Sequence, residues 1–233
     1  DLVISSIRMT LQLMITGYML VYIFDKPNLI VTIIVITIME MFAISNVYKR
    51  IKIGITKEFK SVVIVSIVFG TVISILYFIL IVVRIDPWFD PRYFIPISGM
   101  LIGNAMTGVS LASNTLIDKM YSRKNLIETA LMLGATPKIA AKDVVDDVFD
   151  SAILPTINYM MGMGIVSLPG MMTGQILSGT SPLIAIKYQI TIMLGILGSV
   201  GLTVILFVQL GYRIFFNDEA QFIYERAVVE SSK

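Results

Sequence analysis

Residues 61–83 read SVVIVSIVFGTVISILYFILIVV, a stretch without a single charged side chain. A helix needs roughly 20 consecutive, mostly apolar residues to cross the hydrocarbon core of a bilayer. The stretch is long enough and apolar enough to meet that requirement. It therefore predicts a transmembrane helix, and hence a membrane protein.

Five other stretches of the chain have a comparable length and apolar character. They are Ile4–Phe24, Leu29–Val47, Tyr93–Leu116, Ile153–Leu177 and Leu183–Phe216. Over the whole chain 56% of the residues are hydrophobic and only 15% are charged, whereas soluble domains carry about 25% charged residues. We therefore predict an all-α, polytopic membrane protein with about six transmembrane helices in one domain over residues 1–233. This composition excludes a soluble enzyme.

The sequence lacks the residues and motifs on which most catalytic sites depend. It contains no Cys and no His, which removes thiolate metal sites and His-based acid–base catalysis. The GxxxxGKS/T motif of P-loop ATPases is also missing. We therefore expect a chain that is not an enzyme, binds no cofactor of its own and has no nucleic-acid partner. The sequence assigns no metal ligand.

Basic residues are distributed unevenly between the two sides of the predicted membrane. The second apolar stretch is followed by Lys49 and Arg50, and the polar region 117–151 contains Lys119 and Arg123. Loops rich in Lys and Arg stay in the cytoplasm. We therefore expect a multi-pass protein of the cell membrane with both ends of this chain in the cytoplasm.

The polar region 117–151 has the pattern of a helix–turn–helix unit. Ser122 is placed to cap a first helix, which Gly134 would end. Thr136 would cap a second helix with Pro137 at its first position. Two interpretations remain open: a pair of amphipathic helices that rest on the membrane surface, or a docking element for a soluble partner.

One acidic residue lies inside an apolar stretch. Glu40 falls in the second stretch, where a charged side chain costs roughly 2.5–3.5 kcal/mol at the centre of the bilayer. Such a residue normally faces the protein interior or a water-filled path. Glu40 is therefore a candidate for the substrate pathway, and the alternative is a hydrated or structurally paired carboxylate near the membrane surface.

The fifth apolar stretch contains helix breakers. Pro169 and Gly170 interrupt it, and interrupted helices are the best sequence indication of a transporter's binding site. The candidate pathway residues in and around this stretch and in the fourth are Asn104, Met163, Ser167, Pro169, Gly170, Met171, Met172 and Gln175. The alternative is that the methionines fill the core and that the amides form hydrogen bonds between helices.

Three runs of sequence resemble a known family. They are IPISGMLIGNAM at residues 95–106, LGATPK at residues 133–138 and VSLPGMMTG at residues 166–174. Together they resemble the permease subunits of FetB-type ABC transporters, a bacterial iron-export family, and are similar to plant aluminium-tolerance membrane subunits. The resemblance extends from about Arg8 to Phe216.

The resemblance implies a permease that works with a separate P-loop ATPase subunit, which binds the ATP and Mg²⁺. It implies two copies of this chain in the bilayer, and export of iron or another metal, free or complexed. Members of the family carry one more hydrophobic segment before the equivalent of Arg8, so we expect a further N-terminal span in the full protein.

The resemblance also assigns a coupling role to the polar region. Residues 117–151 would dock the ATPase subunit in the cytoplasm and transmit its movement to the spans. The residues that resemble the coupling motif of ABC permeases are Glu128, Leu131, Gly134, Ala135, Thr136 and Pro137.

Two other functions remain open. The chain could be a secondary transporter or channel driven by an ion gradient, with Glu40 as a proton or ion relay. It could also be a membrane scaffold that binds a cytosolic protein through residues 117–151 and transports nothing.

Overall fold

The computed structural model describes residues 2–228 as a bundle of α-helices. The helices are α1 (Leu2–Asp25), α2 (Leu29–Arg50), α3 (Lys57–Tyr77), α4 (Pro91–Ser122), α5 (Lys124–Met132), α6 (Pro137–Ala140), α7 (Lys142–Gly162), α8 (Gly170–Leu177) and α9 (Pro182–Gly211). A π-helical turn, Phe78–Val83, continues α3, and 3-10 turns at Tyr212–Phe215 and Tyr224–Arg226 follow α9. The prediction of an all-α polytopic membrane protein is confirmed.

Five helices in the described part of the chain are long and apolar enough to cross a membrane. They are α1, α2, α3 with its π-helical turn, α4, and α9 with the turn that follows it. The predicted count of six is not confirmed, because the fifth apolar stretch, Ile153–Leu177, is not one helix. Helix α7 ends at Gly162 and α8 begins at Gly170. Gly164 has a φ of +80°, a conformation that glycine adopts readily, and Pro169 has no N–H to continue a helix.

Helices α4 and α9 form the centre of the bundle. Helix α4 packs against α2, α7 and α9, while α9 also packs along α3. The rings of Phe59 in α3 and Phe207 in α9 meet edge to face with centroids 5.8 Å apart. Helices α3 and α9 approach each other closely at Gly70. A Cβ atom at this position would lie only 2.7 Å from the Cα atom of Thr203.

Helix α1 stands apart from this bundle. Its side chains are exposed along most of its length, and Ile23 near its end is buried. The guanidinium of Arg92 in α4 donates a hydrogen bond to the carbonyl oxygen of Phe24 at 3.4 Å. The helix is therefore anchored to the bundle at one end.

The two ends of the bundle differ in their side chains. We call the end with Arg50, Lys57 and Lys119 the basic end, and the end with Trp88 and Asp90 the tryptophan end. At the basic end the segment after α9 folds back over the bundle. The rings of Phe215 and Phe222 stack with centroids 6.2 Å apart, and those of Tyr121 and Tyr224 approach to 5.3 Å.

The segment after α9 also binds the loop between α2 and α3. The backbone N–H of Thr56 donates to the carbonyl oxygen of Ala227 at 3.1 Å, and its hydroxyl donates to that of Arg226 at 2.7 Å. The guanidinium of Arg226 lies 3.7 Å from the carboxylate of Glu58. The start of α3 is thus tied to the end of the chain's last long helix.

The polar region 117–151 is helical, but its boundaries differ from those predicted. Ser122 is the last residue of α4 and its hydroxyl bonds the carbonyl oxygen of Lys119, so the prediction that it caps α5 is wrong. Ser122 is still helical, and Arg123 is the residue that precedes α5 in the N-cap position. Gly134, with a φ of +89°, follows α5 as predicted. Pro137 starts α6, a single turn that leads through Ala141 into α7.

Candidate transport site

A large cavity opens at the tryptophan end of the bundle. It has a volume of about 1130 Å³ and lies between the π-helical turn after α3 and helices α4, α8 and α9. Ligand pockets in proteins are commonly about 300–1,000 Å³ in volume. This cavity is therefore large enough to admit an organic solute together with water.

Charged side chains of both signs line the cavity. Asp86 and Asp90 contribute carboxylates, Arg92 a guanidinium and Lys187 an ammonium group. The Oδ1 atom of Asp90 accepts a hydrogen bond from the backbone N–H of Arg92 at 3.0 Å, which caps α4. The four formal charges sum to zero, so the cavity does not strongly favour ions of one sign.

The deeper wall of the cavity is mostly apolar. It includes Ile97 and Met100 of α4, Met171 of α8 and Ile192 of α9. Gln175 of α8 also lines the cavity, and its Oε1 atom is buried without a hydrogen-bond partner among the described residues. Met100 lies nine residues into α4, about 13 Å along the helix at 1.5 Å per residue. The cavity therefore extends along α4 from the tryptophan end over a length comparable with half the thickness of a bilayer core.

A second, much smaller cavity of about 90 Å³ lies one helical turn further along α4. Asn104 and Gly108 of α4, Pro155 and Tyr159 of α7, and Met193 of α9 contribute to its wall. The amide of Asn104 donates to the carbonyl oxygen of Met100 at 2.8 Å. The small cavity therefore lies mainly between α4 and α7, next to the part of α4 that lines the large cavity.

The predicted pathway residues are only partly brought together. Met171 and Gln175 line the large cavity and Asn104 lines the small one. Pro169 and Gly170 form the start of α8, while Met172 is half-buried and lines neither cavity. Met163 and Ser167 lie in the break between α7 and α8, where the backbone N–H of Gly164 donates to the carbonyl oxygen of Ser167 at 2.9 Å.

The break in the fifth stretch contacts α9 through a weak hydrogen bond. The amide Nε2 of Gln189 lies 3.7 Å from the sulfur of Met163. Gln189 is buried, and its Oε1 atom has no partner among residues 2–228. A buried amide of this kind is a polar contact that the sequence pattern did not single out.

Glu40 lies away from both cavities. Its side chain is 6% exposed, and its Oε1 atom accepts a hydrogen bond from the hydroxyl of Thr71 across the α2–α3 contact. The Oε2 atom is buried with no partner in the described part of the chain. Glu40 is therefore enclosed within the bundle, and a direct role in either cavity would require the helices to move.

The predicted docking residues lie at the basic end, in the second half of α5, at Pro137 and in residues 133–136, which join α5 to α6 and which we call the docking turn after that prediction. Helix α5 ends there, and Gly134 and Ala135 donate to the carbonyl oxygens of Leu131 and Ala130 at 2.9 and 3.0 Å. Glu128 lies 3.8 Å from Lys124 one turn earlier, and Thr136 is the N-cap residue of α6 before Pro137. Met132 and Leu133 at this turn are each 84% accessible. The family resemblance did not assign these two residues to docking.

An ion-pair cluster holds this region against α4. The Oδ2 atom of Asp147 in α7 accepts hydrogen bonds from Lys119 at 2.6 Å and Arg123 at 2.7 Å. The hydrogen bond from Lys119, helped by the charges of Lys119 and Arg123, holds the pKa of the Asp147 carboxyl below its usual value. Lys119 and Arg123 are four residues apart in the sequence, but nothing in it identified Asp147, 24 residues after Arg123, as their shared partner.

Metal ligands are scarce in this molecule. Among residues 2–228, no three acidic side chains converge closely enough to hold a metal ion between them, and the chain contains no His or Cys. The polar groups that the fold does bring together are the rim charges of the large cavity and the ion pairs of Asp147.

Comparison with known proteins identifies relatives over nearly the whole chain. Residues 1–216 match a family described as "Uncharacterised protein family (UPF0014)". The chain is 36% identical to the "Probable iron export permease protein FetB" of Escherichia coli over 96% of its own length and 84% of that protein. It is 35% identical to "Protein ALUMINUM SENSITIVE 3" of Arabidopsis thaliana over 95% of its own length and 79% of that protein. No solved structure matches it.

Proposed function

Because the chain belongs to the UPF0014 family of membrane proteins, we propose that it is the permease subunit of an ABC transporter that exports iron or another metal, free or complexed. The name of the Escherichia coli relative supports the cargo and the direction. ATP and Mg²⁺ would bind to a separate P-loop ATPase subunit, and this chain itself would not be an enzyme.

The observation that carries the proposal is the exposed apolar turn at the end of α5. Met132 and Leu133 are each 84% accessible, in a region whose base is fixed by the ion pairs of Asp147. An apolar pair on a rigid turn suits a groove in a soluble partner. ATP would drive transport if each nucleotide state of that partner bound the two permease conformations with different affinity.

The distribution of basic residues supports an orientation for this assembly. With the basic end in the cytoplasm of the cell, the docking turn faces the ATPase subunit and both ends of this chain are cytoplasmic. The large cavity at the tryptophan end then opens on the opposite side of the cell membrane. Trp88 and Phe89 lie at that boundary, where interfacial aromatic residues are common.

Helix α1 supports a second copy of the chain in the complex. Arg8, Gln12 and Thr16 are spaced four residues apart and so share one face of this exposed helix. Polar and charged side chains are costly in contact with lipid and normally face protein or water. We propose that the partner's helices cover this face in a dimer.

The proposal is tested by purifying the chain from its native membrane in detergent and assaying the eluate for ATPase activity. We expect an ATP-hydrolysing subunit to co-purify in equal amount. Gly134→Val should release it, because φ is +89° at this position and a β-branched residue would distort the docking turn.

A matched control separates docking from general backbone strain. Gly179 also has a positive φ, +93°, and a Cβ atom on either glycine would meet nothing within 4 Å. Gly179→Val should therefore strain the backbone to a similar degree at the opposite end of the bundle while leaving the ATPase subunit bound. Release by both variants, or by neither, would contradict the docking assignment.

One observation favours a second candidate, a transporter driven by an ion gradient. Glu40 is buried with one oxygen unpartnered in the described residues, and intramembrane carboxylates commonly serve as proton or ion relays. Under this alternative, the chain purified alone would move solute into liposomes without ATP. Glu40→Gln would then abolish transport, whereas ATP-dependent flux that survives this substitution would exclude the relay.

A further inference from the structure

The large cavity at the tryptophan end has the chemistry of a site for an organic molecule. We propose that it binds an uncharged or zwitterionic organic solute, such as a neutral metal chelate, and not a bare metal cation. This inference rests on the proposed transport function and specifies the class of solute that this side of the protein handles.

The size of the cavity is the first argument. A water molecule occupies about 30 Å³ in the liquid, so a volume of about 1130 Å³ far exceeds what a bare or hydrated ion would fill. An ion held there would keep most of its water and gain little from the protein. An organic solute of several hundred cubic ångströms would contact several walls at once.

The charges at the rim are the second argument. Lys187 and Arg92 line the same cavity as Asp86 and Asp90, so the formal charge of the lining is zero. A site built for a bare cation concentrates carboxylate oxygens and avoids ammonium and guanidinium groups. A lining with equal numbers of acidic and basic groups instead suits a solute with no net charge, whose polar groups can face the carboxylates or the basic side chains.

The deeper wall is the third argument. Ile97, Met100 and Ile192 present apolar and thioether surface, which a hard cation that prefers oxygen ligands would not favour but an organic ligand shell would. Gln175 also lines this wall. A mostly apolar wall with a few polar groups suits the mixed surface of an organic solute.

The absence of cysteine from the chain permits a direct test in the intact protein. Thr191→Cys places a thiol on the cavity wall, and Ile190→Cys places one on the neighbouring residue, which is 55% exposed but does not line the cavity. Each variant, in lipid nanodiscs, is treated with a charged, membrane-impermeant thiol reagent. Thr180→Cys, also on the cavity wall, is a second reporter if Thr191→Cys does not fold.

We expect the cavity thiol to react at least about tenfold faster than the thiol of Ile190→Cys. Position 190 is exposed on the outside of a membrane-spanning helix, where lipid surrounds the thiol and less of it ionises to thiolate. A neutral iron–hydroxamate chelate at ten times its Kd should slow the cavity reaction about tenfold. Iron(II) alone and the negatively charged iron–citrate complex should slow it much less.

Four results would overturn the proposal. They are equal labelling of the cavity and control thiols, no effect of the neutral chelate, protection by iron(II) alone, and stronger protection by iron citrate than by the neutral chelate. None of these measurements needs the ATPase subunit. Failure of the solute proposal is therefore distinguishable from failure of the ABC assignment, which the co-purification experiment tests.

Discussion

The sharpest prediction concerns Leu133 at the end of α5. Leu133→Ser should weaken binding of the ATPase subunit without changing the fold of the permease. The side chain is 84% accessible and therefore contributes little to the packing of this chain alone. If it fills a groove in the partner, the substitution removes an apolar contact from the complex only.

The size of the effect follows from the area that binding would hide. Complete burial of a leucine side chain contributes about 1.5–3 kcal/mol. With 84% of the side chain still exposed in the free permease, about 1.3–2.5 kcal/mol remains available for binding. Since each 1.4 kcal/mol is a factor of ten in affinity, the Kd should rise roughly 8- to 60-fold per docking site.

The assay is a titration of the ATPase subunit onto permease in nanodiscs, monitored by an optical binding signal. Leu177→Ser is the matched control, because Leu177 is also 84% exposed but lies at the end of α8, away from the docking turn. Its Kd should stay within about twofold of the unsubstituted protein. An unchanged Kd for Leu133→Ser, or an equal rise for both variants, would refute the reasoning.

Three further predictions follow from the packing and the charges. Gly70→Ala should destabilise the bundle by about 1–3 kcal/mol or more, because the added Cβ atom would lie 2.7 Å from the Cα of Thr203. Gly198→Ala, whose Cβ meets nothing within 4 Å, should be neutral or slightly stabilising, and equal thermal denaturation midpoints in detergent would contradict this difference. The carboxyl pKa of Asp147 is lowered in the folded protein. At pH values above the ordinary pKa of 3.8, its ion pairs therefore stabilise the α4–α7 contact. That stability is lost as the pH falls through the lowered pKa. Protection of the amides in α5 and at the start of α7, measured against the intrinsic exchange rate at each pH, should therefore fall only in strong acid, and in Asp147→Asn it should be lower than in the parent at neutral pH; equal protection in the variant and the parent would show that the ion pairs do not hold this region. Glu40→Gln should leave ATP-dependent flux measurable in proteoliposomes, since Glu40 lines neither cavity, and complete loss of flux with the protein still folded would place Glu40 in the pathway.

The long helices were predictable because a helix that crosses a bilayer needs roughly 20 mostly apolar residues, and polar residues mark where such a stretch ends. The predicted first span, Ile4–Phe24, differs from α1 by only a few residues, since the polar sequence at Asp25 and Lys26 marks its end. The stretch Ile153–Leu177 was predicted as a span interrupted at Pro169 and Gly170, and the structure separates it into the end of α7 and helix α8. Its glycines and Pro169 determine where α7 and α8 separate.

Less of the candidate site could be predicted from the sequence. Glu40 was recognisable because a carboxylate in an apolar stretch is unusual, but its contact with Thr71 depends on how α2 and α3 pack. The rim of the large cavity joins Asp86 and Asp90 to Lys187, about one hundred residues later in the chain. No local pattern relates residues at that separation, and each of them also fits an ordinary polar loop or helix end.

The contact between the end of the chain and the loop before α3 bears on how the molecule can move. Thr56 is hydrogen bonded to both Arg226 and Ala227, and Glu58 faces Arg226, so the start of α3 and the segment after α9 form one rigid body at the basic end. Alternating access requires groups of helices to rotate past one another on a microsecond-to-millisecond timescale. In the proposed transport cycle, α3 and α9 would therefore rotate together at the basic end. A movement of this pair relative to α5 would displace the docking turn, which follows α5 directly.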